Sequence, residues 1–231
     1  MKNTLFFLLS LIGFSLYAQV QPIDGETFRP VLSAGLVASQ VDGDTYAGYH
    51  KVGFFAGLGI NRVVSKKFEL EFSLTFLQKG ARKNYATDSA SLNNPNNQFY
   101  LLRLNYMEVP FGVKYNLNKK FKLETGGAVA YLIKNPPFEE SQNGYTNIYN
   151  FNKFDYSYYL GIGYKLNPAV LINLRYEYSI VAIRKYYSNG NGIYHGQFPY
   201  NLFNVGLYNN LLTLSINYKL PPVQATPTNG Q

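Results

Sequence analysis

The chain has 231 residues, no cysteine and a formal charge of +8, so disulfides and thiol nucleophiles are excluded. The basic residues are scattered and no nucleic-acid motif is present, so we expect no nucleic-acid partner. The 22 tyrosines and 17 phenylalanines, with no long apolar run after residue 18, exclude a helical membrane protein. They favour a membrane β-barrel, in which aromatic residues collect at the two interfaces, over the alternative of a soluble β-sandwich.

Residues 1–18 are predicted to be a secretory signal peptide. Lys2 precedes an apolar stretch from Leu5 to Leu16 that is short for a membrane-spanning helix, and Ala18-Gln19 is a suitable cleavage point. The predicted remainder is an N-terminal lead over 19–27, a β-barrel over 28–220 and a flexible periplasmic tail over 221–231, which is rich in proline and polar residues.

Alternation with a period of two residues predicts the strands. It is clearest near the C-terminus, where apolar residues occupy even positions from Leu212 to Leu220 and polar residues such as Ser215 occupy odd ones. The eight predicted strands are 28–39, 51–61, 67–79, 100–116, 121–134, 154–166, 170–184 and 204–220. Most are longer than the roughly 9–11 residues that a tilted strand needs to cross a bilayer.

The predicted connections alternate in length. The long ones are 40–50, 80–99, 135–153 and 185–203, and the short ones are 62–66, 117–120 and 167–169. Long extracellular loops and short periplasmic turns around an even number of strands are typical of outer-membrane barrels. The sequence therefore predicts an all-β fold, an eight-stranded antiparallel transmembrane β-barrel integral to the bacterial outer membrane, with both termini in the periplasm.

The polar face of each strand is predicted to fill the barrel interior. Buried ions must pair or reach water, and a barrel of about eight strands is just wide enough for its own side chains. We therefore expect a packed ion network in preference to a pore. The candidate members are Glu69, Glu71, Glu108, Lys114, Lys122, Glu124, Asp155, Lys165, Arg175, Glu177 and Lys219. The same parity also places Lys79 and Lys134 inside; which acid meets which base depends on strand shear.

One predicted strand, 100–116, breaks the alternation. Its apolar residues occupy even positions up to Tyr106 and odd positions from Met107 onward, and Pro110 follows. Because a closed barrel has no free edge to tolerate proline, we expect a β-bulge near this point.

Two segments resemble the PorT-like outer-membrane β-barrel family. Residues 68–80, FELEFSLTFLQKG, resemble its "ELxYxxKG" strand, and residues 104–115, LNYMEVPFGVKY, resemble its "YLEIPLLLKY" strand. Residues 35–44 are similar to its first strand and loop, and the resemblance covers about 29–220. The chain departs from the pattern at Leu74, often tyrosine in the family, and at Met107, usually leucine. The resemblance implies an outer-membrane barrel; some members are associated with type IX secretion and gliding, but it implies little about activity.

No catalytic, cofactor-binding or metal-binding residues are predicted, and no cofactor is expected. Neither His50 nor His195 has the nearby serine and carboxylate that nucleophilic catalysis requires, so both are interpreted as solvated loop residues. Asp42-Gly43-Asp44 has too few following oxygen ligands for calcium and is interpreted as a turn. Glu139-Glu140 is interpreted as a solvated loop pair.

The leading hypothesis is a non-enzymatic structural or accessory barrel. Its expected partners are outer-membrane lipid and other envelope or secretion-system proteins, which the Tyr/Asn-rich segments 145–154 and 186–203 would contact. The same aromatic residues could instead pack the loops against one another. Alternative functions are an outer-membrane lipid-modifying enzyme and a small-solute channel.

Overall fold

A computed structural model describes residues 28–44, 48–84, 99–134, 137–141, 151–185 and 206–221. The predicted signal peptide, N-terminal lead and His195, with nearly all of the tail, lie outside these residues. Every regular element within the described ranges is a β-strand. The strands are β1 (Arg29–Asp42), β2 (Lys51–Val63), β3 (Phe68–Lys83), β4 (Tyr100–Asn116), β5 (Phe121–Leu132), β6 (Phe138–Ser141), β7 (Phe154–Lys165), β8 (Val170–Ser179), β9 (Arg184–Lys185) and β10 (Gly206–Lys219). No helix in the described ranges is long and apolar enough to cross a membrane.

Eight of these strands close into an antiparallel barrel. Each pairs with its neighbour in the order β1-β2-β3-β4-β5-β7-β8-β10, and β10 returns to pair with β1 from Val31↔Lys219 to Asp42↔Tyr208. The two short strands extend the wall at one end, with β6 on β4 and β9 on β10. The predicted fold class, an eight-stranded all-β barrel, is confirmed.

The two ends of the barrel differ as the loop lengths predict. Connections 64–67, 117–120 and 166–169 are short and lie at the end where β1 begins and β10 stops, which is the periplasmic end. Their turns are closed by local hydrogen bonds: the amides of Lys120 and Phe121 both donate to Asn118 Oδ1, at 2.8 Å each. Asn167 Oδ1 plays the same part for the amides of Ala169 and Val170, as expected for Asx-type turns.

Alternate residues of each strand face outward and inward. On β10, Leu214 is 53% exposed and the adjacent Ser215 is 4% exposed. On β3, Phe72 and Leu74 are exposed on the outer wall, whereas Glu69 and Glu71 are buried. An apolar outer band is what lipid requires, and the predicted faces of these strands agree with it.

The predicted bulge in β4 is wrong. The strand keeps one register with β3 from Phe68↔Tyr115 to Lys83↔Tyr100 and one register with β5 along its whole paired length. Pro110 faces the interior, and only the ladder with β3 is interrupted there, at Ser73 and Leu74. A proline lacks one N–H donor, so a short interruption of one ladder accommodates it without an extra residue.

The strand predicted over 170–184 is too long. β8 ends at Ser179, after which the chain leaves the wall: Ile180 and Val181 are exposed, whereas Ile183 is completely buried. The backbone of Ile183 joins two neighbouring segments, because its amide donates to Leu207 O at 2.7 Å and its carbonyl accepts from the Asn152 amide at 2.7 Å. This turn carries the chain into the mouth of the barrel.

Candidate functional site: the barrel interior

A buried lysine lies at the centre of the interior. Lys79 is 0% exposed, and its ammonium nitrogen lies 2.8 Å from Glu177 Oε1, 3.0 Å from Glu108 Oε2 and 3.2 Å from Asp155 Oδ2. These residues come from β3, β8, β4 and β7, so one side chain connects four strands across the lumen. The parity of β3 places Lys79 inside, but the candidate set predicted from the sequence omits it.

Hydroxyl and amide groups complete this central cluster. Ser157 donates to Glu177 Oε1 at 2.9 Å, Ser179 donates to Asp155 Oδ1 at 2.7 Å, and Asn209 Nδ2 donates to Asp155 Oδ2 at 2.8 Å. The Lys79 ammonium also lies 5.2 Å from the centroid of the Tyr106 ring. Because buried charges are tolerated only when paired and hydrogen-bonded, these neutral donors offset part of the desolvation cost of three carboxylates around one cation.

A second chain of ion pairs continues toward the periplasmic end. Lys114 Nζ lies 2.6 Å from Glu71 Oε2 and 3.8 Å from Glu124 Oε2, and Glu124 Oε1 accepts from Arg175 Nε at 2.7 Å. Asn173 Nδ2 also donates to Glu124 Oε1, at 2.8 Å. Acids and bases therefore alternate from β3 through β4 and β5 to β8.

The third cluster lies at the periplasmic mouth, around Glu69. Lys219 Nζ donates to Glu69 Oε2 at 2.7 Å and to Asn61 Oδ1 at 3.1 Å, and Lys122 donates to Glu69 Oε1. Asn61 Nδ2 donates back to Glu69 Oε2 at 3.2 Å. Lys219 belongs to the last strand and Glu69 to the third, so this cluster spans the mouth from wall to wall.

Ten of the eleven candidate residues therefore take part in ion pairs. Lys165 is the exception: it is half-buried near the periplasmic rim, and no described carboxylate lies within ion-pair distance of it. The parity-based placement of Lys134 in the interior is wrong. β5 ends at Leu132, and Lys134 lies beyond the strand with its side chain exposed.

Two glycines in the wall make room for Tyr159, whose ring packs against Arg175. The Arg175 guanidinium lies 4.1 Å from the centroid of the Tyr159 ring, which is close enough for a cation–π interaction. The Tyr159 hydroxyl reaches the wall at Gly112 and Gly126, where a β-carbon on either glycine would collide with it. These two positions therefore require glycine for close approach.

An apolar cluster, which the sequence does not predict, lies in the extracellular half of the interior. Inward residues there pack into one buried cluster: Val37, Val41, Leu77, Ala81, Tyr100, Leu102, Leu104, Tyr106, Ala130, Leu132, Phe151, Ile183, Leu207 and Leu211. Two of them, Phe151 and Ile183, lie outside the strands and enter the barrel from its connecting segments. We call this group the apolar plug.

An ion pair closes over the apolar plug at the extracellular end. Glu139, on β6, is 3% exposed; its two carboxylate oxygens accept from Arg184 Nη1 at 2.9 Å and Nη2 at 3.4 Å. The Tyr100 hydroxyl also donates to Glu139, at 2.9 Å, and the Arg184 guanidinium lies 4.5 Å from the centroid of the Phe151 ring. The interpretation of Glu139 as a solvated loop residue is therefore wrong: it pairs with a cation about 45 residues away in sequence.

One small cavity lies beside the ion clusters of the described interior. A cavity of about 20 Å³ is lined by Glu108, Arg175, Glu177 and neighbouring side chains. One water molecule needs roughly 10–15 Å³ of such space, so the cavity holds about one. A row of water molecules that could carry ions would need far more room than this.

His50 and the Asp42-Gly43-Asp44 segment carry side chains of the types that act in catalysis or metal binding. His50 is exposed, and its ring makes no hydrogen bond to a described residue. Gly43, between Asp42 and Asp44, has a φ of +95°, a left-handed turn conformation that favours glycine. The Asp42 carboxylate accepts from Gln40 Nε2 at 2.8 Å and from Asn210 Nδ2 at 3.1 Å. No group of three or more potential metal ligands is present among the described residues.

These features define an integral β-barrel protein of the bacterial outer membrane. The sequence profile of the family described as "Outer membrane protein beta-barrel domain" matches residues 17–183, and the chain belongs to this family. No protein of curated function matches the sequence.

Several solved structures have a similar fold. Ail, the attachment invasion locus protein of Yersinia pestis, is 15% identical with a TM-score of 0.43, over 84% of this chain and 99% of that one. Neisserial surface protein A is 12% identical with a TM-score of 0.46, over 85% of this chain and 100% of that one. OprG from Pseudomonas aeruginosa is 13% identical with a TM-score of 0.38, over 84% and 97%. Similarity at this level carries no inference about function.

Proposed function

We propose that this chain is a non-enzymatic structural or accessory barrel whose exposed ends engage other proteins of the envelope. The observation that carries the proposal is the closed interior. Three ion clusters and the apolar plug fill the lumen from the periplasmic mouth to the extracellular end, and they connect strands that are not neighbours in the wall. Such cross-lumen pairing would stiffen the barrel, and it places paired side chains across the described part of the lumen.

The extracellular connections are anchored where the structure describes them. Glu139 of β6 is joined to Arg184 of β9, and Phe151 is buried beneath Arg184. The connections after β5 and after β8 therefore share one buried contact at the mouth. This arrangement would hold the Tyr/Asn-rich segments 145–154 and 186–203 on a rigid base, which reduces the conformational entropy that a loop loses on binding a partner. Of these segments, only 151–154 falls within the described residues.

The alternatives have less support. A lipid-modifying enzyme needs an oriented base beside a nucleophile, and the exposed ring of His50 has neither a described hydrogen-bond partner nor a buried position. A small-solute channel needs continuous water-filled space, whereas ion pairs and the apolar plug cross the lumen among the described residues. Export through a signal peptide, and the link with type IX secretion that the PorT resemblance implies, remain predictions.

Site-specific photo-crosslinking in intact envelopes tests the proposal. A benzophenone side chain would replace His50 or Lys153 at the extracellular end, and Lys67 or Lys120 at the periplasmic end; all four residues are exposed. Leu160, which is exposed on the apolar outer wall, is the matched control. We expect discrete protein adducts from at least one end and only lipid adducts from Leu160. The absence of any protein adduct from all four positions would contradict the proposal.

A further inference from the structure

The outer wall of β3 and β4 changes character toward its extracellular end. Phe76 and Met107 are register neighbours on the lipid-facing surface, and the next outward pair is Gln78 and Asn105. Beyond this pair, Arg82 and Arg103 point outward and are exposed. Since a strand rises roughly 3.4 Å per residue, this order places both guanidinium groups just beyond the apolar band, at the level of the lipid headgroups in the outer leaflet.

A recess opens in the wall at the same level. The pairing of β2 with β3 ends at Phe55↔Leu77, although β2 continues to Lys51 and β3 continues to Lys83. Gly80 has a φ of +137°, a conformation that favours glycine, in the part of β3 that pairs with β4 but not with β2. A cavity of about 390 Å³ lies here, lined by Lys51, Val52, Gln78, Arg82, Leu101, Arg103 and Asn105. Small-molecule sites occupy roughly 300–1,000 Å³, so the recess is large enough for a ligand headgroup.

Three cations line this recess, and none of its described lining residues carries a carboxylate. Lys51 Nζ donates to Val52 O at 2.8 Å, Arg82 Nε donates to Asn84 Oδ1 at 2.8 Å, and the Arg103 guanidinium lies 5.2 Å from the Phe138 ring centroid. None of the three forms an ion pair with a described carboxylate. An arginine has five N–H donors, so both guanidinium groups keep most of their donors available. Three neighbouring like charges repel one another unless an anion binds between them.

We propose that this recess binds the phosphate group of an outer-leaflet glycolipid of the lipopolysaccharide type. Phosphate matches the fork of N–H donors that a guanidinium presents, and basic recesses at the membrane surface bind charged lipid headgroups. The adjoining surface favours a lipid phosphate over a free phosphate ion as the ligand. Val52 and Phe54 are exposed on the outer wall beside and below the cations, where they would contact the acyl chains of the same lipid.

Native mass spectrometry of the folded protein in detergent tests this assignment with purified diphosphoryl lipid A as the probe. We expect wild type to bind this lipid and to bind the same lipid without its phosphates at least tenfold more weakly. We expect Arg82→Gln/Arg103→Gln to bind diphosphoryl lipid A roughly tenfold or more weakly, because losing a single charge-assisted hydrogen bond corresponds to about that factor. Heat-modifiable gel mobility checks that the variant is folded.

The matched control is Lys134→Gln/Lys153→Gln, which removes two exposed cations at the extracellular ends of β5 and β7. We expect its affinity for diphosphoryl lipid A to stay within about twofold of wild type. Equal weakening in both double variants, or equal binding of the two lipids by wild type, would overturn the site. Displacement of the lipid by millimolar inorganic phosphate would overturn the lipid assignment. The wild-type comparison requires no variant, so a failure of the arginine variant to fold leaves the proposal testable.

Discussion

Replacing Lys79 by methionine tests whether the central cluster holds the barrel together. The substitution keeps a long apolar side chain but leaves Glu108, Asp155 and Glu177 without the ammonium that lies 2.8–3.2 Å from them. Each such pair corresponds to about 5 kcal/mol of attraction at an effective dielectric constant of about 20, before the cost of desolvation. Because removing one partner of a buried ion pair costs roughly 3–5 kcal/mol, we expect Lys79→Met to lower the free energy of unfolding by at least that amount.

The measurement is urea unfolding in lipid-detergent micelles, followed by heat-modifiable gel mobility. Lys119→Met, at an exposed position in the turn between β4 and β5, is the control and should change the free energy of unfolding by less than about 0.5 kcal/mol. Adding Glu177→Gln to Lys79→Met should recover part of the loss, because one uncompensated carboxylate is removed. A loss below about 1 kcal/mol, or no recovery in the double variant, would refute a stabilising role for the cluster.

Three further substitutions test the wall, the packing and the mouth. Leu214→Arg should destabilise the folded barrel by roughly 2–4 kcal/mol and Ser215→Asn by less, because only the first places a charge in lipid; equal effects in the same gel assay would contradict the assignment of faces. Gly126→Ala should lower the free energy of unfolding by roughly 1–3 kcal/mol through overpacking. Unchanged stability to urea would show that the wall accommodates the added methyl group without loss of stability. Glu139→Gln should remove about 1–3 kcal/mol of local stability, so that protease cleaves the extracellular loops faster on intact cells. If the variant is cleaved at the same rate as the wild type, the ion pair does not anchor these loops.

Much of the wall could be predicted from the sequence because lipid and lumen impose opposite requirements on alternate residues. In β10 the two faces differ in polarity from Leu212 to Lys219, so a shift of one residue would expose Ser215 to lipid, and this part of the sequence admits one register. The same contrast predicts β3 and β8. Short turns with Asn118 or Asn167 mark the periplasmic end, because their side chains cap the turn locally and no distant contact is needed.

The error in β4 has a physical cause. The parity argument assumes that inward residues are polar, but Leu102, Leu104 and Tyr106 face an apolar interior in the extracellular half. Inward positions therefore stay even along the whole strand, while the outward residues near Arg103 become polar above the lipid. Because the inward face of β4 becomes apolar and its outward face becomes polar toward the extracellular end, the sequence pattern resembles a shift of register.

The ion pairs could be predicted as a set but not as partners. Lys79 is the clearest case, because its three carboxylates come from β4, β7 and β8 and meet only when the barrel closes with one particular shear. Glu139 lies in a segment predicted as a loop and Arg184 at the far end of the strand predicted over 170–184, and only the short strands β6 and β9 bring them together. Contacts that depend on closure leave no local signal in the sequence.

Single-channel recording in planar lipid bilayers tests the closed interior most directly. The folded wild-type protein should insert and give no steady conductance, because the ion clusters and the apolar plug occupy the described part of the lumen. Insertion is checked independently by protease protection of the reconstituted barrel. Reproducible conductance steps from inserted wild-type protein, changed in size by Lys79→Met, would show that ions pass through the lumen and would contradict a closed structural barrel.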